Sequence, residues 1–336
     1  MSTLPFYCDG MPSFLKEIAD TAVMRRLRNV GMNCGVEYTR FPLFRKIAPY
    51  SRYDHSLGAG MITWRFTGDR AASAAALLHD VATPVFAHTV DFMNGDHERQ
   101  ESTETRTASV IAGSRELGAI LDKYGLTAYD VSDYHRYPVA DNDTPKLAAD
   151  RLEYTLGNMV NFGFADVREA ARLYGDLTVG KNEYGEPELM FHTPETAESF
   201  ALLAMKCARV YVSPEDRYAM QRLSELLKTA VERGVIALSD LETDEPAVIR
   251  KLTADETTGA EWENYRRLSC MADPAEYPEN ARVIPAKKRR IDPFVKDRGR
   301  VSALSGAFRR EMDAFMDEDL LSPVCGIQMT DAGCSG

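Results

Sequence analysis

Apolar residues recur at three- and four-residue spacing along most of the chain, the pattern of helices that bury one face. Residues 14–30 carry that period, 71–78 form an unbroken apolar run, and 101–121 resume the period. Pro145 opens a further segment, 146–160, with Leu147, Leu152, Leu156 and Val160 on one side. Proline suits a first helical turn, where its missing N–H would have no partner in any case. Three more helices are predicted over 165–177, 196–212 and 215–233, the last stopped by Gly234.

The pattern changes near 236–240, beyond which segments are shorter and richer in proline and charge. The expected division is a helical domain over 1–238 and a mixed C-terminal extension over 239–336. The extension should end in a helix over 302–320, with a small polar tail after Pro323 that is expected to be mobile. The fold class that follows is all-α, a helical core with a smaller mixed C-terminal region. No period of 20–50 residues repeats.

The 336 residues are 44% hydrophobic, enough for a sizeable core, and 40 Lys+Arg against 51 Asp+Glu give a net charge of −11. A protein held on nucleic acid or on an anionic membrane mainly by charge is therefore disfavoured. A small anionic ligand would need local compensation from a metal or a few arginines. No basic stretch precedes an apolar run at the N-terminus, and no stretch approaches 18 apolar residues. The six cysteines form no CxxC pair, so reduced thiols in a cytoplasm are expected.

Candidate chemistry concentrates between residues 52 and 154. Four of the six histidines, His55, His79, His88 and His97, fall within 43 positions of that stretch, and Asp80 follows His79 directly. Imidazole and carboxylate are the usual ligands for zinc and other divalent transition metals. The apolar run before His79 would hold its helix in the core, where an unpartnered His-Asp pair is costly. His135 and His192 stand alone and read as packing or surface residues. No GxxxxGK[ST], GxGxxG before a helix, or GxSxG occurs, which leaves kinase, dinucleotide and serine-hydrolase readings without their phosphate cradle or nucleophile turn.

Three blocks carry a resemblance: Arg52-Tyr53-Asp54-His55-Ser56-Leu57-Gly58, Ala75-Ala76-Leu77-Leu78-His79-Asp80, and Ala149-Asp150-Arg151-Leu152-Glu153-Tyr154. In this order they resemble the signature blocks of the HD-domain metal-dependent phosphohydrolases. Asp20 with Arg25-Arg26-Leu27-Arg28 upstream, and Ile291-Asp292-Pro293 downstream, are similar to the branch containing the deoxynucleoside triphosphate triphosphohydrolases.

The resemblance implies a helical core in which His55, His79, Asp80 and Asp150 bind one divalent ion, with Fe, Mn, Zn, Ni and Mg all open. Asp141 and Asp143 lie in a Pro-flanked stretch that reads as a turn, so Asp150, inside a helical segment, is the carboxylate chosen. His97-Glu98 resembles the catalytic pair of the triphosphohydrolases, His88 and Asp91 match a later histidine and aspartate, and Asp91 is expected to orient His97. Arg52, three residues before His55, would lie one turn from it within reach of a phosphate oxygen, and Arg151 and Tyr154 match positions that face substrate in the relatives. The implied partner is a small phosphorylated molecule, a nucleotide, and the implied assembly a homo-oligomer. The run Lys287-Lys288-Arg289-Arg290 reads as a solvated segment, while relatives place this part at subunit contacts or nucleotide effector sites.

The chain departs from that branch at three places. Thr83 stands where a histidine is usual, Asn158 where an aspartate is usual, and the 203–211 helix offers only Lys206 and Arg209 for a triphosphate tail. Hydrolysis of nucleotide phosphate esters is therefore the leading expectation. Triphosphate release and a non-catalytic binding protein are the alternatives.

Overall fold

The computed structural model describes residues 4–98 and 106–328. Those residues form sixteen α-helices and six short strands, so the helical core with a smaller mixed region is as expected. No described helix is long and apolar enough to cross a membrane.

The predicted helix over 14–30 is broken into α1 (Ser13–Ala19), α2 (Ala22–Arg25) and a 3₁₀ turn. Buried Thr21 causes the break: its hydroxyl donates back to Ile18 O at 2.7 Å and its extended backbone starts α2. Next comes α3 (Arg52–Thr67), opened by a reciprocal cap between Ser51 and Asp54. The periodicity missed this helix. Its buried residues run almost without interruption from Arg52 to Thr63, so no polar stripe marks it.

After α4 (Arg70–Leu78) and α5 (His88–Met93), the helix expected over 101–121 is two, α6 (Thr107–Gly113) and α7 (Arg115–Lys123). Ser114 divides them by capping Leu117 N–H; residues 101–105 of that expectation lie outside the described residues. Short α8 (Ala128–Val131) leads to α9 (Ala149–Asn161). This helix starts later than the predicted 146 because Leu147 N–H donates to Glu188 at 3.0 Å and Ala149 N–H to Val139 O at 2.8 Å.

The chain continues through α10 (Val167–Gly175) and a hairpin of β1 (Leu177–Lys181) and β2 (Pro187–Phe191), which was not predicted. Then follow α11 (Pro194–Val210), α12 (Pro214–Glu232), α13 (Glu245–Ala254), α14 (Glu256–Arg266) and β3 (Leu268–Met271). The last elements are β4 (Phe294–Val295), β5 (Gly299–Arg300), α15 (Val301–Leu304), α16 (Gly306–Asp317) and β6 (Gly326–Gln328). Ser305 splits the helix expected over 302–320 by capping Phe308 N–H. The expected tail after Pro323 is partly ordered, since Val324 and Cys325 are buried and β6 pairs antiparallel with β3.

The C-terminal region packs onto the helices before it. Ile291, Val295, Val301, Phe308 and Phe315 share a core with Leu152, Leu156 and Phe200, and β4 adds to β2 in parallel. A buried ionic knot ties these parts together. Arg300 grips both carboxylate oxygens of Glu188 at 2.6 and 2.8 Å, while the same carboxylate takes Leu147 N–H and Asn182 Nδ2. Removing one partner of a buried pair strands the other charge. Arg300→Ala should therefore lose about 3–5 kcal/mol in urea unfolding, the size usual for such a break. Glu188→Leu in the same chain should recover part of that loss; no recovery would mean the packing of Arg300, not its charge, matters.

Candidate metal centre

Three helix ends meet in one place. His55 lies in the first turn of α3, His79 closes α4 with Asp80 just beyond it, and Asp150 lies in the first turn of α9. Glycines allow this approach: a Cβ at Gly60 would stand 3.0 Å from Leu77 Cβ and 3.3 Å from Ser73 O, and one at Gly58 would run into the Glu153 side chain. Arg26 braces the turn after Asp80 by donating to Val81 O at 3.0 Å and Thr83 O at 2.7 Å.

His55 Nε2 lies 3.2 Å from His79 Nε2 and 3.0 Å from Asp150 Oδ1. His79 Nε2 is 3.5 Å from Asp80 Oδ2 and 3.6 Å from Asp150 Oδ1. The outer ring nitrogens are committed: His55 Nδ1 sits 2.6 Å from buried Glu153, and His79 Nδ1 is 2.7 Å from Ala76 O. Since those partners accept, each Nδ1 is a donor, and in the neutral rings each Nε2 turns a lone pair inward. Two acceptors at 3.2 Å repel unless a proton or cation stands between them. The donor set therefore fits one divalent ion, and N/O ligands alone do not select which.

The centre is strongly polarised. Burial alone would lower the His55 pKa, yet Asp150 and Glu153 outweigh it and raise it to about 10. Burial pushes the Asp80 carboxyl up, but Arg52 and the two imidazoles hold it well below the usual range. Asp150 is likewise held low by His55, His79 and Arg151 against its burial. Arg52 Nη1 reaches Asp80 at 3.1 Å, and Thr83, the residue in place of the usual histidine, donates its hydroxyl to Asp80 at 2.7 Å.

These groups line a cavity of about 590 Å³, a size suited to a small molecule. Of the substrate-facing expectations, Arg52 and Tyr154 line it, and Arg52 Nε is buried with no hydrogen-bond partner. Arg151 lines it too, but its guanidinium is engaged by Asp141 at 3.1 Å, by Lys146 O at 2.8 Å and by Asn142.

His88 also lines the cavity, at the start of α5. Phe86 and Ala87 reach it through left-handed backbone, with φ of 61° and 45°. Asp91, expected beside His97, holds His88 Nδ1 instead, at 2.9 Å. His97 pairs with Gln221 Oε1 at 3.0 Å and packs on Phe92, and among the described residues neither His97 nor Glu98 lines the cavity.

Several lining residues were not expected. His135, read as isolated, bonds Asp141 at 2.7 Å, and its neighbour Tyr134 packs on the His79 ring. Tyr211 and Asp216 enter from α11 and α12; burial pushes the Asp216 carboxyl up to about 8 against the pull of Arg289 and Arg217. The run 287–290, read as solvated, lies along the same cavity. Its only sequence signal was a dense basic patch in an acidic chain.

No family model matches the chain. It is similar to the uncharacterized protein YdhJ of Bacillus subtilis, 28% identical over 250 residues that cover 74% of this chain and 72% of YdhJ. It is also similar to the metal-dependent phosphohydrolase cns2 of Cordyceps militaris, 28% identical over 164 residues, 48% of this chain and 45% of cns2. The chain thus spans under half of that second relative. Two solved structures share the fold, each with a TM-score of 0.61: a hypothetical protein of Aquifex aeolicus (18% identity, 95% of this chain and 93% of that one) and a phosphohydrolase of Bacteroides thetaiotaomicron (14%, 96% and 97%). With the His-His-Asp group, these likenesses support an HD-type, metal-dependent hydrolase. They do not reach the triphosphohydrolase branch.

Two outcomes follow for the centre. Glu153→Ala should weaken metal binding about 10–100-fold, the usual effect of removing a ligand's outer partner, read by chelator competition. For the chelated protein, His55 has a folded pKa near 10 against about 6.5 unfolded, so its stabilisation is complete below 6.5 and is lost as pH rises through 10. The Tm of chelated protein should therefore fall between pH 7 and 10 more steeply than that of chelated His55→Gln; parallel curves would contradict it.

Proposed function

We propose that this chain hydrolyses phosphate esters of nucleotides, with one divalent ion held by His55, His79, Asp80 and Asp150. The observation that carries the reading is the pair of imidazoles whose Nε2 atoms face each other beside two carboxylates at the floor of the cavity. When bound, such an ion supplies Lewis-acid polarisation of a phosphoryl oxygen and lowers the pKa of a water.

The chain's own groups supply the rest. Burial, Arg289 and Arg52 lower the His88 pKa, so the ring is neutral near pH 7, and Asp91 fixes its Nδ1–H. Its Nε2 is then a proton acceptor in the cavity. The buried, unpartnered Nε of Arg52 offers a charge-assisted bond to a phosphate oxygen. Tyr154, Tyr211, Phe162 and Phe44 give the cavity an aromatic wall on which a base can stack, which favours a nucleotide over a small aliphatic ester. A triphosphate-specific site has less support, because Arg209 is engaged by Glu311 and Glu318 and Lys206 does not line the cavity.

Purified protein, reloaded with each metal in turn and given nucleoside mono- and triphosphates, should release orthophosphate, with products separated by chromatography. His79→Ala should lose both metal and turnover. His88→Ala should keep its metal while kcat falls about 10²–10⁴-fold, the range for lost acid–base help. His97→Ala should stay near wild type. A His97→Ala loss as large as that of His88→Ala would move proton handling to the 97–98 pair, and inertness toward every ester would favour the binding-only alternative.

A further inference from the structure

A second cavity, of about 450 Å³, shares no lining residue with the metal cavity. Helix α12 is the wall between them: Tyr218, Arg222 and Leu226, each four residues apart, line the second cavity, while Asp216 and Met220 line the first. Positions two apart on a helix point to opposite sides, and positions three or four apart share one. By the same spacing Glu261, Asn264 and Tyr265 present one face of α14 to the second cavity. The remaining wall is the loop 272–282, tied down at both ends. Ala272 N–H donates to Cys325 O at 2.8 Å, and Arg282 and Val324 exchange backbone bonds at 2.9 and 2.8 Å. Strand β6 then lies on Tyr218, so close that a Cβ at Gly326 would stand 2.5 Å from the ring.

The floor of this cavity is aromatic and apolar, made by buried Tyr218, Tyr265, Leu226 and Leu268. Tyr265 donates its hydroxyl to Gly35 O at 2.8 Å. Tyr218 is only 2% exposed, yet its hydroxyl has no hydrogen-bond partner among the described residues. A buried polar group left unpaired is costly, and a ligand bond would remove that cost. Above the floor stand Tyr277 and two carboxylates. Glu261 has no hydrogen bond or ion pair among the described residues, and the Glu279 carboxylate accepts from Asn280 Nδ2 at 3.2 Å. The base that lines the cavity, Arg222, is engaged by Glu225, which also accepts from Arg282 Nε at 3.1 Å. The open groups are therefore all oxygen acceptors, two of them charged. An ammonium ion only donates, and tyrosine rings attract organic cations.

We infer that this cavity is a second ligand site that takes a small organic ammonium ion, its charge met by Glu261 and Glu279, one N–H by the Tyr218 hydroxyl, and its methylene groups by the tyrosine rings. A bare metal ion is a poorer match, because hard cations take several oxygen ligands in close array and here much of the surface is aromatic. An anion would meet two carboxylates whose charge no base on this cavity neutralises. The site is independent of the hydrolase reading, since none of its residues belongs to the metal cavity.

Ligand-observed NMR titration of metal-loaded protein with putrescine and with spermidine, at constant ionic strength, tests this without turnover. Wild type should bind at least one of them saturably, with Kd below about 10 mM. E261Q/E279Q should weaken that binding at least about tenfold, the effect of about 1.4 kcal/mol. Tyr218→Phe should weaken it about threefold to tenfold, the worth of one hydrogen bond. Should the double variant fail to fold, Glu261→Gln and Glu279→Gln singly should each show about a threefold loss, half of that free energy. E195Q/E232Q removes the same charge from exposed positions elsewhere and should bind as wild type does. The inference is overturned if neither amine binds saturably, if the Glu261 and Glu279 variants bind as wild type does, or if E195Q/E232Q loses binding equally. Magnesium chloride that displaces the amine more strongly than sodium chloride of the same ionic strength would make this an inorganic cation site and overturn it too.

Discussion

Two imidazole nitrogens that both present lone pairs cannot rest 3.2 Å apart in a protein interior without something positive between them. Much of the architecture around His55 and His79 serves to impose that approach. Gly58 and Gly60 let α3 press against α9 and α4 where any larger residue would clash. Glu153, itself held by Tyr50, fixes the His55 ring, and the carbonyl of Ala76 fixes the His79 ring. A proton on His55 or a cation shared by both rings answers that constraint, and the packing keeps the rings from swinging apart to escape it.

The blocks that bring His55, His79, Asp80 and Asp150 together were legible in the sequence because they are short motifs at helix ends, where local spacing is enough. The helix bearing His55 was not legible by periodicity. Arg52, His55, Ser56 and Gly58 through Thr63 are all buried, and a helix covered on nearly every side leaves no alternation to read. Ser51 followed three residues on by Asp54 is a helix-start signal that periodicity alone does not use. The hairpin and the late start of α9 depend on Glu188, whose partners Leu147 and Arg300 are far apart in the sequence. Likewise, the partner of Asp91 was a choice between two histidines that only the strained turn at Phe86 and Ala87 decides.

The positions where this chain departs from the triphosphohydrolase pattern it resembles have internal roles. Thr83 replaces an ionisable ring with a hydroxyl that bonds Asp80, so it orients a ligand rather than reaching toward the cavity. Asn158 donates to the Tyr211 hydroxyl at 2.8 Å and keeps a buried Oδ1 with no partner. An aspartate there would add a negative charge to a buried wall that already contains Asp216. With an amide, the wall remains neutral at that point and offers an acceptor without the desolvation cost of a second carboxylate.

Electrostatics then links the two ends of the chain. The helices that bear the ligands contribute Arg52 and Arg151 to the cavity, and both are neutralised by aspartates within it. Asp80 is shared between Arg52 and the ion site, so a divalent ion held by Asp80 and Asp150 leaves that end of the cavity with net positive charge. The basic run 287–290 adds cations to the same cavity from the C-terminal region. The Arg217 and Asp292 contacts fix that run on either side, although neither residue lines the cavity. Because the attracting charges lie inside a concave, partly desolvated site, salt screens them less than it would screen the same residues on an open surface.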